Sequence, residues 1–255
     1  MMILNNYIDH QFIAPNKALA PFIGQYFIIA MKAETSLDKL EYSVPPRAHS
    51  VLIIKQNTTS GTYQVLVVGP HLHHLKVVVE RNEKWCIAEL NAGAALSLFN
   101  VPISKLKHQS VDLAQSAPHF THNIEQRFLK GFDTHELDKI LLSLQPTLKV
   151  PTMVTQAIDQ LRNLENPPKV AEVAHALGIS IRKLQREFAK WVGVSPKQFQ
   201  NISRLRSSLN LASEEKQSWT RIALKSGYFD QPHLNKNLGN VLELKPSQIT
   251  SQKPT

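Results

Sequence analysis

A pattern of two short helices joined by a glycine turn occurs twice near the C-terminal end of this chain. Residues 169–196 read KVAEVAHALGISIRKLQREFAKWVGVSP, and residues 218–248 read SWTRIALKSGYFDQPHLNKNLGNVLELKPSQ. In each copy, apolar residues recur at helical spacing on both sides of the turn glycine, Gly178 or Gly227. Two such units predict a helix-turn-helix protein that places one helix of each unit in successive major-groove segments, about one helical turn or 10 bp apart.

The first unit combines a short apolar helix with a basic one. The first helix is predicted to pack through an i, i+3, i+4, i+7 stripe of Val170, Val173, Ala174 and Leu177. Gly178 allows the positive φ of a helix C-terminus, and Ser180 can cap the next helix. That second helix is predicted to bury Leu184, Phe188, Trp191 and Val192 and to expose Arg182, Lys183, Gln185, Arg186 and Lys190.

The exposed polar residues of this second helix suit contacts with DNA. Arginine makes bidentate contacts with guanine and glutamine with adenine, and the first two turns of a recognition helix reach base edges best. We therefore predict that Arg182, Gln185 and Arg186 read bases, whereas Ser180, Lys183 and Lys190 contact phosphates. A solvated amphipathic helix would show the same basic face, so that alternative stays open at this point.

A linking helix and a less basic second unit follow. Pro196 suits the first turn of a helix to about Ala212, whose inward stripe is Phe199, Ile202, Leu205 and Leu209. On this helix, Arg204 and Arg206 are predicted to lie at the surface or to contact phosphates. In the second unit Asp230 is the predicted N-cap, and the residues predicted to be exposed are Gln231, His233, Asn235, Lys236 and Asn237. Because Lys236 is the only full positive charge among them, we expect this unit to bind DNA more weakly than the first.

The N-terminal part is predicted to be α+β, with a small antiparallel sheet or barrel. Five runs rich in aromatic and β-branched residues predict strands at 21–31, 50–55, 63–68, 75–80 and 85–90, separated by turn residues. Residues 1–20 are predicted to be irregular, and helical spacing predicts helices near 94–101, 118–130, 134–144 and 154–164. The proline-containing stretch 145–152 predicts a boundary between a domain of residues 1–150 and an all-α domain of residues 151–255.

The charge of the chain is concentrated in the half that carries the repeated motif. Residues 151–255 hold 15 Lys and Arg against 8 Asp and Glu, whereas residues 1–150 hold 14 against 12. A basic surplus beside helix-turn-helix units favours binding to phosphates, because neutralising them releases condensed counterions. The N-terminus has no basic region followed by an apolar core, and no apolar run approaches the length of a membrane span. We therefore expect a cytoplasmic protein with no membrane partner.

The remaining chemistry-bearing residues predict neither catalysis nor a metal site. Cys86 is the single cysteine and lies in an apolar strand, so a buried structural thiol is expected. His71, His73 and His74 are predicted to form a polar loop surface; a metal site is the alternative, but no cysteine or acidic residue nearby completes it. His49 beside Arg47 could help bind an anionic effector or could be structural. Since no GxGxxG, P-loop, GxSxG or HExxH motif occurs, we assign no catalytic residue and expect no cofactor.

Residues 154–248 resemble the DNA-binding domain of the AraC/XylS family of bacterial transcription regulators. The family pattern S-x-R-x-L-x-R-x-F falls on Ser180, Arg182, Leu184, Arg186 and Phe188. The second signature, G-[FY]-x-D-Q-x-H-F, falls on Gly227, Tyr228, Asp230, Gln231, His233 and Leu234. The resemblance implies a seven-helix domain with two helix-turn-helix units joined by a long helix, which binds double-stranded DNA. It also implies that Gln231, Pro232 and Asn235 read bases in the second unit, where we assign Lys236 to the DNA backbone.

The second unit departs from the family pattern at five positions. Leu234 and Leu238 replace the usual Phe, Lys236 replaces an Arg, and Glu243 replaces a turn Gly. Gly239 is expected to interrupt the recognition helix, at a cost of about 1 kcal/mol relative to Ala. Since the apolar pattern survives, these differences concern the specificity of the unit and not its fold.

The N-terminal part resembles an uncharacterised sensor-like domain fused to some AraC-type regulators. The resemblance is carried by VPPRAHSVLIIKQN, VVGPHL and AELNAGAALSLFNVPISKLKHQSVDL. It implies that residues 1–150 bind a small-molecule effector of unknown identity or form a homodimer.

Two other classes of function remain to be distinguished from a sequence-specific regulator. A non-specific nucleic-acid binder would need only the basic surface, and its binding would be sequence-blind and sharply dependent on salt. A DNA-modifying enzyme fused to a DNA-binding domain, as in DNA-repair alkyltransferases with AraC-type domains, would need reactive metal-bound cysteines. The single Cys86 argues against that enzyme.

Overall fold

Eight strands in the N-terminal part of the described chain form two antiparallel sheets. The computed structural model describes residues 7–129, 131–146, 148–214 and 217–242. The strands are β1 Ile8–Ile13, β2 Ile23–Met31, β3 Lys39–Val44, β4 Val51–Asn57, β5 Tyr63–Val68, β6 Leu75–Glu80, β7 Glu83–Leu90 and β8 Ser110–Asp112. Six of them form one sheet in the order β1-β2-β7-β4-β5-β8, and β3 pairs with β6 in the second.

The central strands of the six-stranded sheet are buried on both faces because their side chains alternate between two apolar cores. One face, including Phe27, Ile53 and Ile87, packs against Leu40 and Val79 of the two-stranded sheet. The other face includes Leu52, Val65 and Cys86 and packs against four helices. These helices are α1 Ala94–Phe99, α2 Leu113–Ser116, α3 Pro118–Arg127 and α4 Thr134–Ser143. The N-terminal part thus has three layers: a two-stranded sheet, a six-stranded sheet and a helical layer.

The C-terminal part is helical and is organised around two further cores. Its helices are α5 Thr152–Leu161, α6 Val170–Ala176, α7 Ile181–Trp191, α8 Pro196–Glu214, α9 Trp219–Lys225 and α10 Gln231–Leu242. Helices α5, α6 and α7 and the start of α8 share one core, which also includes Ala48 of the N-terminal part. The end of α8 packs with α9 and α10 in the other core. The described residues hold six helices after α4, and the seventh helix implied by the resemblance is not among them.

The fold class agrees with the sequence prediction, and several details correct it. Residues 8–13, expected to be irregular, form β1, which pairs along its length with β2. The sheets do not close into a barrel among the described residues, and β3 and β8 were not predicted. Helix α5 ends at Leu161 and does not reach Leu164. The Lys-Pro pair at 245–246 and Glu243 lie outside the described residues.

Two negative findings apply to the described part of the chain. None of its helices combines the length and the apolar character needed to cross a bilayer. None of its groups of His, Cys, Asp and Glu has the three members that could hold a metal ion. Cys86 is free and buried, as its strand context predicts.

Candidate nucleic-acid interface

The turn of the first unit has the geometry that its sequence predicts. Helix α6 is followed by Gly178, whose φ of +65° lies in the left-handed region that favours glycine. The Ser180 hydroxyl then accepts a hydrogen bond from the Lys183 backbone N–H at 3.2 Å and so caps α7. The Ser180 hydroxyl, which we assign to a phosphate contact, therefore already caps α7. A phosphate oxygen would be its second partner and would accept a hydrogen bond from the same hydroxyl.

Helix α7 separates an apolar face from a basic one. Its inward residues Leu184, Phe188 and Trp191 are buried, as predicted. The side chains assigned to DNA contact are all exposed: Arg182, Lys183, Gln185, Arg186 and Lys190. Four cations on one short helix, against the single carboxylate of Glu187, give it a strong positive potential.

The end of α7 that packs against the N-terminal part is its C-terminal end. The Gly93 backbone N–H donates to the Trp191 carbonyl oxygen at 2.8 Å. Immediately after the helix, a Cβ built on Gly193 would lie 3.0 Å from Pro70, so the two segments are closely packed. The N-terminal turns of α7 therefore stay exposed, and a recognition helix enters the groove with those turns.

Glu187 has a role on α7 that the sequence reasoning missed. Its Oε1 lies 3.3 Å from the Arg186 guanidinium, and its Oε2 accepts a hydrogen bond from the Trp191 indole at 3.3 Å. The Lys190 ammonium lies 4.8 Å from the centre of the Trp191 ring. The Arg186 side chain is 70% exposed, so this ion pair is weak and a base or phosphate can replace it at little cost.

The second unit repeats the caps and turn of the first. The Ser218 hydroxyl accepts from the Arg221 backbone N–H at 3.4 Å at the start of α9. Gly227 has a φ of +74°, and the Asp230 carboxylate accepts from the His233 backbone N–H at 2.8 Å, which confirms the predicted N-cap. Leu234 and Leu238 are buried, and α10 continues through Gly239 instead of being interrupted there.

The polar face of α10 is less free than the sequence predicts. Pro232, His233 and Lys236 are exposed, but Gln231, Asn235 and Asn237 are half-buried. Gln231 accepts a hydrogen bond from the Thr220 hydroxyl at 2.8 Å, and Asn237 donates to the Tyr228 hydroxyl at 3.1 Å. A base contact by Gln231 would compete with its bond to Thr220.

An exposed aromatic residue near the start of α10 was also missed. Phe229 is 86% exposed and immediately precedes the N-cap Asp230. Its exposure was not predicted because the turn Gly227-Tyr228-Phe229 gives no helical periodicity to separate its buried member, Tyr228, from its exposed one.

The predicted surface position of Arg206 is wrong. This side chain is 23% exposed and faces the N-terminal part, where it lies 4.0 Å from the Glu89 carboxylate. Arg204 is half-buried on the same helix and donates to the Gly227 carbonyl oxygen at 3.3 Å. The amphipathic pattern of α8 did not reveal that the N-terminal part covers Arg206 and that the turn of the second unit contacts Arg204.

His49 completes the contact at Glu89. Its Nε2 lies 3.6 Å from the Glu89 carboxylate. Burial alone would raise the pKa of Glu89, but the hydrogen bond and charge of His49, together with the charge of Arg206, lower it to about 2. Burial lowers the pKa of His49, although Glu89 opposes that change. Glu89 is therefore an ionised partner for Arg206 at neutral pH.

Comparison with protein families agrees with the geometry of both units. Residues 173–252 match a family described as a helix-turn-helix domain. The C-terminal region is an AraC-type helix-turn-helix domain. This AraC-type domain is a DNA-binding domain of the kind found in transcription regulators. Residues 11–112 match a domain of unknown function, DUF6597.

Similar solved structures include AraC-type regulators and cover the chain to different extents. An AraC-type transcriptional regulator from Chromobacterium violaceum is 26% identical over 39% of this chain and 90% of its own, with a TM-score of 0.36. The DNA-binding domain of AdpA, in complex with a target DNA, is 19% identical over 40% of this chain and 92% of its own, with a TM-score of 0.37. ToxT from Vibrio cholerae is 9% identical over 98% of this chain and 100% of its own, with a TM-score of 0.48. No curated protein matches the chain.

Proposed function

We propose that the chain is a sequence-specific DNA-binding transcription regulator in which α7 and α10 enter successive major-groove segments of one duplex. The observation that carries the proposal is the exposure of Arg182, Gln185 and Arg186 on the free N-terminal turns of α7. These turns follow the glycine turn and begin at the Ser180 cap. Arg and Gln at these positions can make bidentate contacts with guanine and adenine. Lys183 and Lys190 are exposed on the same helix and would neutralise phosphates, with Ser180 adding a hydroxyl contact.

The second unit is proposed to contribute fewer base contacts. Gln231, Pro232 and Asn235 are the proposed base-reading residues, and Lys236 is the proposed backbone contact. Because Gln231 and Asn235 are half-buried, the second unit is proposed to contribute less to discrimination than α7 does. The division into a regulatory domain of residues 1–150 and a DNA-binding domain of residues 151–255 belongs to this proposal.

The alternative is a basic protein that binds nucleic acid without reading its sequence. The charged face of α7 would suffice for it, because phosphate contacts alone produce affinity. The arrangement of Arg and Gln at the end of α7 that enters a groove favours the specific regulator, because phosphate binding needs neither Gln nor a fixed position along the helix.

Selection of random duplexes by the purified full chain at about 0.15 M salt, close to physiological screening, tests the proposal. The expected result is an enriched motif with two blocks whose centres lie about 10 bp apart. A single block would show that α10 only contacts the backbone. Tight binding without any enriched motif would overturn sequence-specific recognition and support the non-specific binder.

A further inference from the structure

A cavity of about 380 Å³ lies between the two sheets of the N-terminal part. Its apolar walls come from both sheets and include Phe27, Ile53, Leu66, Val77 and Ile87. This volume falls within the range of small-molecule sites, which are concave and mostly apolar with a few polar groups. The size and lining of the cavity therefore suit a small organic ligand.

Two arginines and a glutamate lie together at one end of the cavity. Strand β4 places Val51 opposite Glu89 and Lys55 opposite Trp85, so Glu89 and Trp85 lie about 13 Å apart along β7. Arg47, His71 and Arg206 line the cavity together with Glu89. At the Trp85 end, the Lys55 ammonium lies 4.2 Å from the centre of the indole ring. A ligand would thus contact Arg47, Arg206 and Glu89 at one end of the cavity, apolar side chains along its length, and Lys55 at the other end.

Three polar atoms of side chains that line the cavity are buried without a hydrogen-bond partner among the described residues. They are Arg47 Nε, His71 Nε2 and His74 Nδ1, and all three side chains line the cavity. His71 is only 4% exposed, and its Nδ1 lies 3.5 Å from the Gly69 carbonyl oxygen, which leaves Nε2 as the unpartnered atom. Buried polar groups are almost always hydrogen-bonded, so these three unpartnered atoms on residues of one cavity are available to bind a polar group of a ligand.

The charges that line the cavity do not balance. Arg47, Lys55 and Arg206 are its three cationic side chains, and Glu89 is its carboxylate. Glu89 lies 4.0 Å from Arg206, and its charge also favours the protonated form of Arg47. Burial, followed by the charge of Arg47, lowers the pKa of His71 to about 3, so this imidazole is neutral and adds no charge. The charged end therefore holds two guanidiniums against one carboxylate, a surplus of one positive charge.

We propose that this cavity binds a small amphipathic carboxylate, with the carboxylate between Arg47 and Arg206 and the apolar body between the two sheets. A guanidinium presents paired N–H donors that match the two oxygens of a carboxylate. At the charged end two guanidiniums face one carboxylate, so one negative charge restores neutrality there, whereas a doubly charged phosphate would leave an excess negative charge. Since Arg206 belongs to α8, which joins the two helix-turn-helix units, the bound carboxylate would contact both halves of the chain.

Calorimetric titration of the full chain, without DNA, tests the site independently of the proposed function. The probes are octanoate and naphthylacetate, each compared with its neutral amide, octanamide or naphthylacetamide. The expected result is saturable binding of at least one carboxylate, with its amide bound about tenfold or more weakly because the charge is lost. The same weakening is expected for Arg47→Met and for Arg206→Met. Arg127→Met, which removes a 49%-exposed guanidinium outside the cavity lining, is the matched control and should bind as the wild type does.

Two results would overturn the proposal. One is the absence of binding for both carboxylates at millimolar concentration. The other is equal affinity for acid and amide, because the guanidinium would then contribute nothing. A thermal unfolding curve establishes whether each variant is folded; if neither cavity variant folds, the comparison of acid with amide in the wild type alone decides.

Discussion

The guanidinium of Arg206 lies 4.0 Å from the carboxylate of Glu89, in a side-chain pair that is about three-quarters buried. It also donates to the Pro46 carbonyl oxygen at 3.5 Å. Arg206 lies on the helix between the two helix-turn-helix units, and Glu89 lies on the central sheet, so the pair joins the two halves. Removing one partner of such a pair leaves an uncompensated buried charge, which is strongly destabilising.

The Glu89→Gln substitution should change how stability depends on pH. The pKa of Glu89 is lowered from 4.5 to about 2, so the ionised carboxylate stabilises the folded state above pH 4.5 and loses that effect as the pH falls towards 2. The free energy of unfolding should therefore be higher for the wild type than for the variant at pH 6, and the difference should shrink as the pH falls through this window. Denaturant unfolding of both proteins at several pH values measures this difference in the free energy of unfolding.

The exposed Glu165→Gln is the matched control for this measurement. A wild-type advantage over Glu89→Gln that is constant from pH 6 to pH 2 would contradict the assigned role of Glu89.

Arg186→Ala should weaken binding to the selected duplex by about 1–3 kcal/mol and should affect random duplexes much less. The physical reason is that a base contact exists only with the correct sequence, whereas a phosphate contact exists with every sequence. Fluorescence anisotropy with the two duplexes measures the difference. Lys17→Ala removes an exposed cation from the N-terminal part and should leave both affinities unchanged. Equal losses on both duplexes would reassign Arg186 to the phosphates.

Lys236→Ala should lower the affinity for the selected duplex less than Arg182→Ala does. Arg182 is one of four cations on α7, whereas Lys236 is the one cation of α10. If Lys236 contacts a phosphate, its removal should weaken binding uniformly across sequences and reduce the salt slope by about 1. Salt titrations of both variants test this ranking, and a larger loss for Lys236→Ala would show that the second unit dominates recognition.

Two glycine substitutions in the second unit should change stability in opposite directions. Gly239 lies inside α10, and a Cβ there would meet no atom within 4 Å, so Gly239→Ala should stabilise the chain by about 1 kcal/mol. Gly227 has a φ of +74°, and its Cβ would lie 2.8 Å from the Leu164 carbonyl oxygen. Gly227→Ala should therefore destabilise the chain by about 1–2 kcal/mol or more. Denaturant unfolding measures both values, and destabilisation by Gly239→Ala would show that α10 needs the glycine.

The helical half could be predicted from the sequence because its structure depends on local signals. The caps Ser180 and Asp230 and the turn glycines Gly178 and Gly227 lie next to the residues whose backbone they fix. Strand β3 escaped prediction although Leu40, Tyr42 and Val44 alternate with more exposed residues, because Lys39, Glu41 and Ser43 break the run of aromatic and β-branched residues that marked the predicted strands. Strand β1 is mostly exposed and lies at a sheet edge, so few of its residues carry an apolar signal.

The cavity and its charged end could not be predicted in the same way. Arg47, Glu89 and Arg206 come from a loop, a strand and a helix that are far apart in the sequence, and no spacing rule connects them. The sequence singled out Arg47 and His49 as a candidate for anion binding but gave no partner for either residue. Burial of His71 was also missed, because a cluster of histidines in a loop resembles polar surface.

The C-terminal ends of α7 and α10 are hydrogen-bonded to the N-terminal part, from Gly93 N–H to the Trp191 carbonyl oxygen and from His74 N–H to the Val241 carbonyl oxygen at 3.0 Å. The two helices cannot separate or rotate relative to each other without breaking one of these bonds. Under the proposed function, one base pair inserted between the two blocks of a target would turn one block by about 35° around the duplex axis. The N-terminal part would thus fix the distance and angle between α7 and α10. The chain would then distinguish targets by the length of the spacer between the two blocks as well as by the bases in each block.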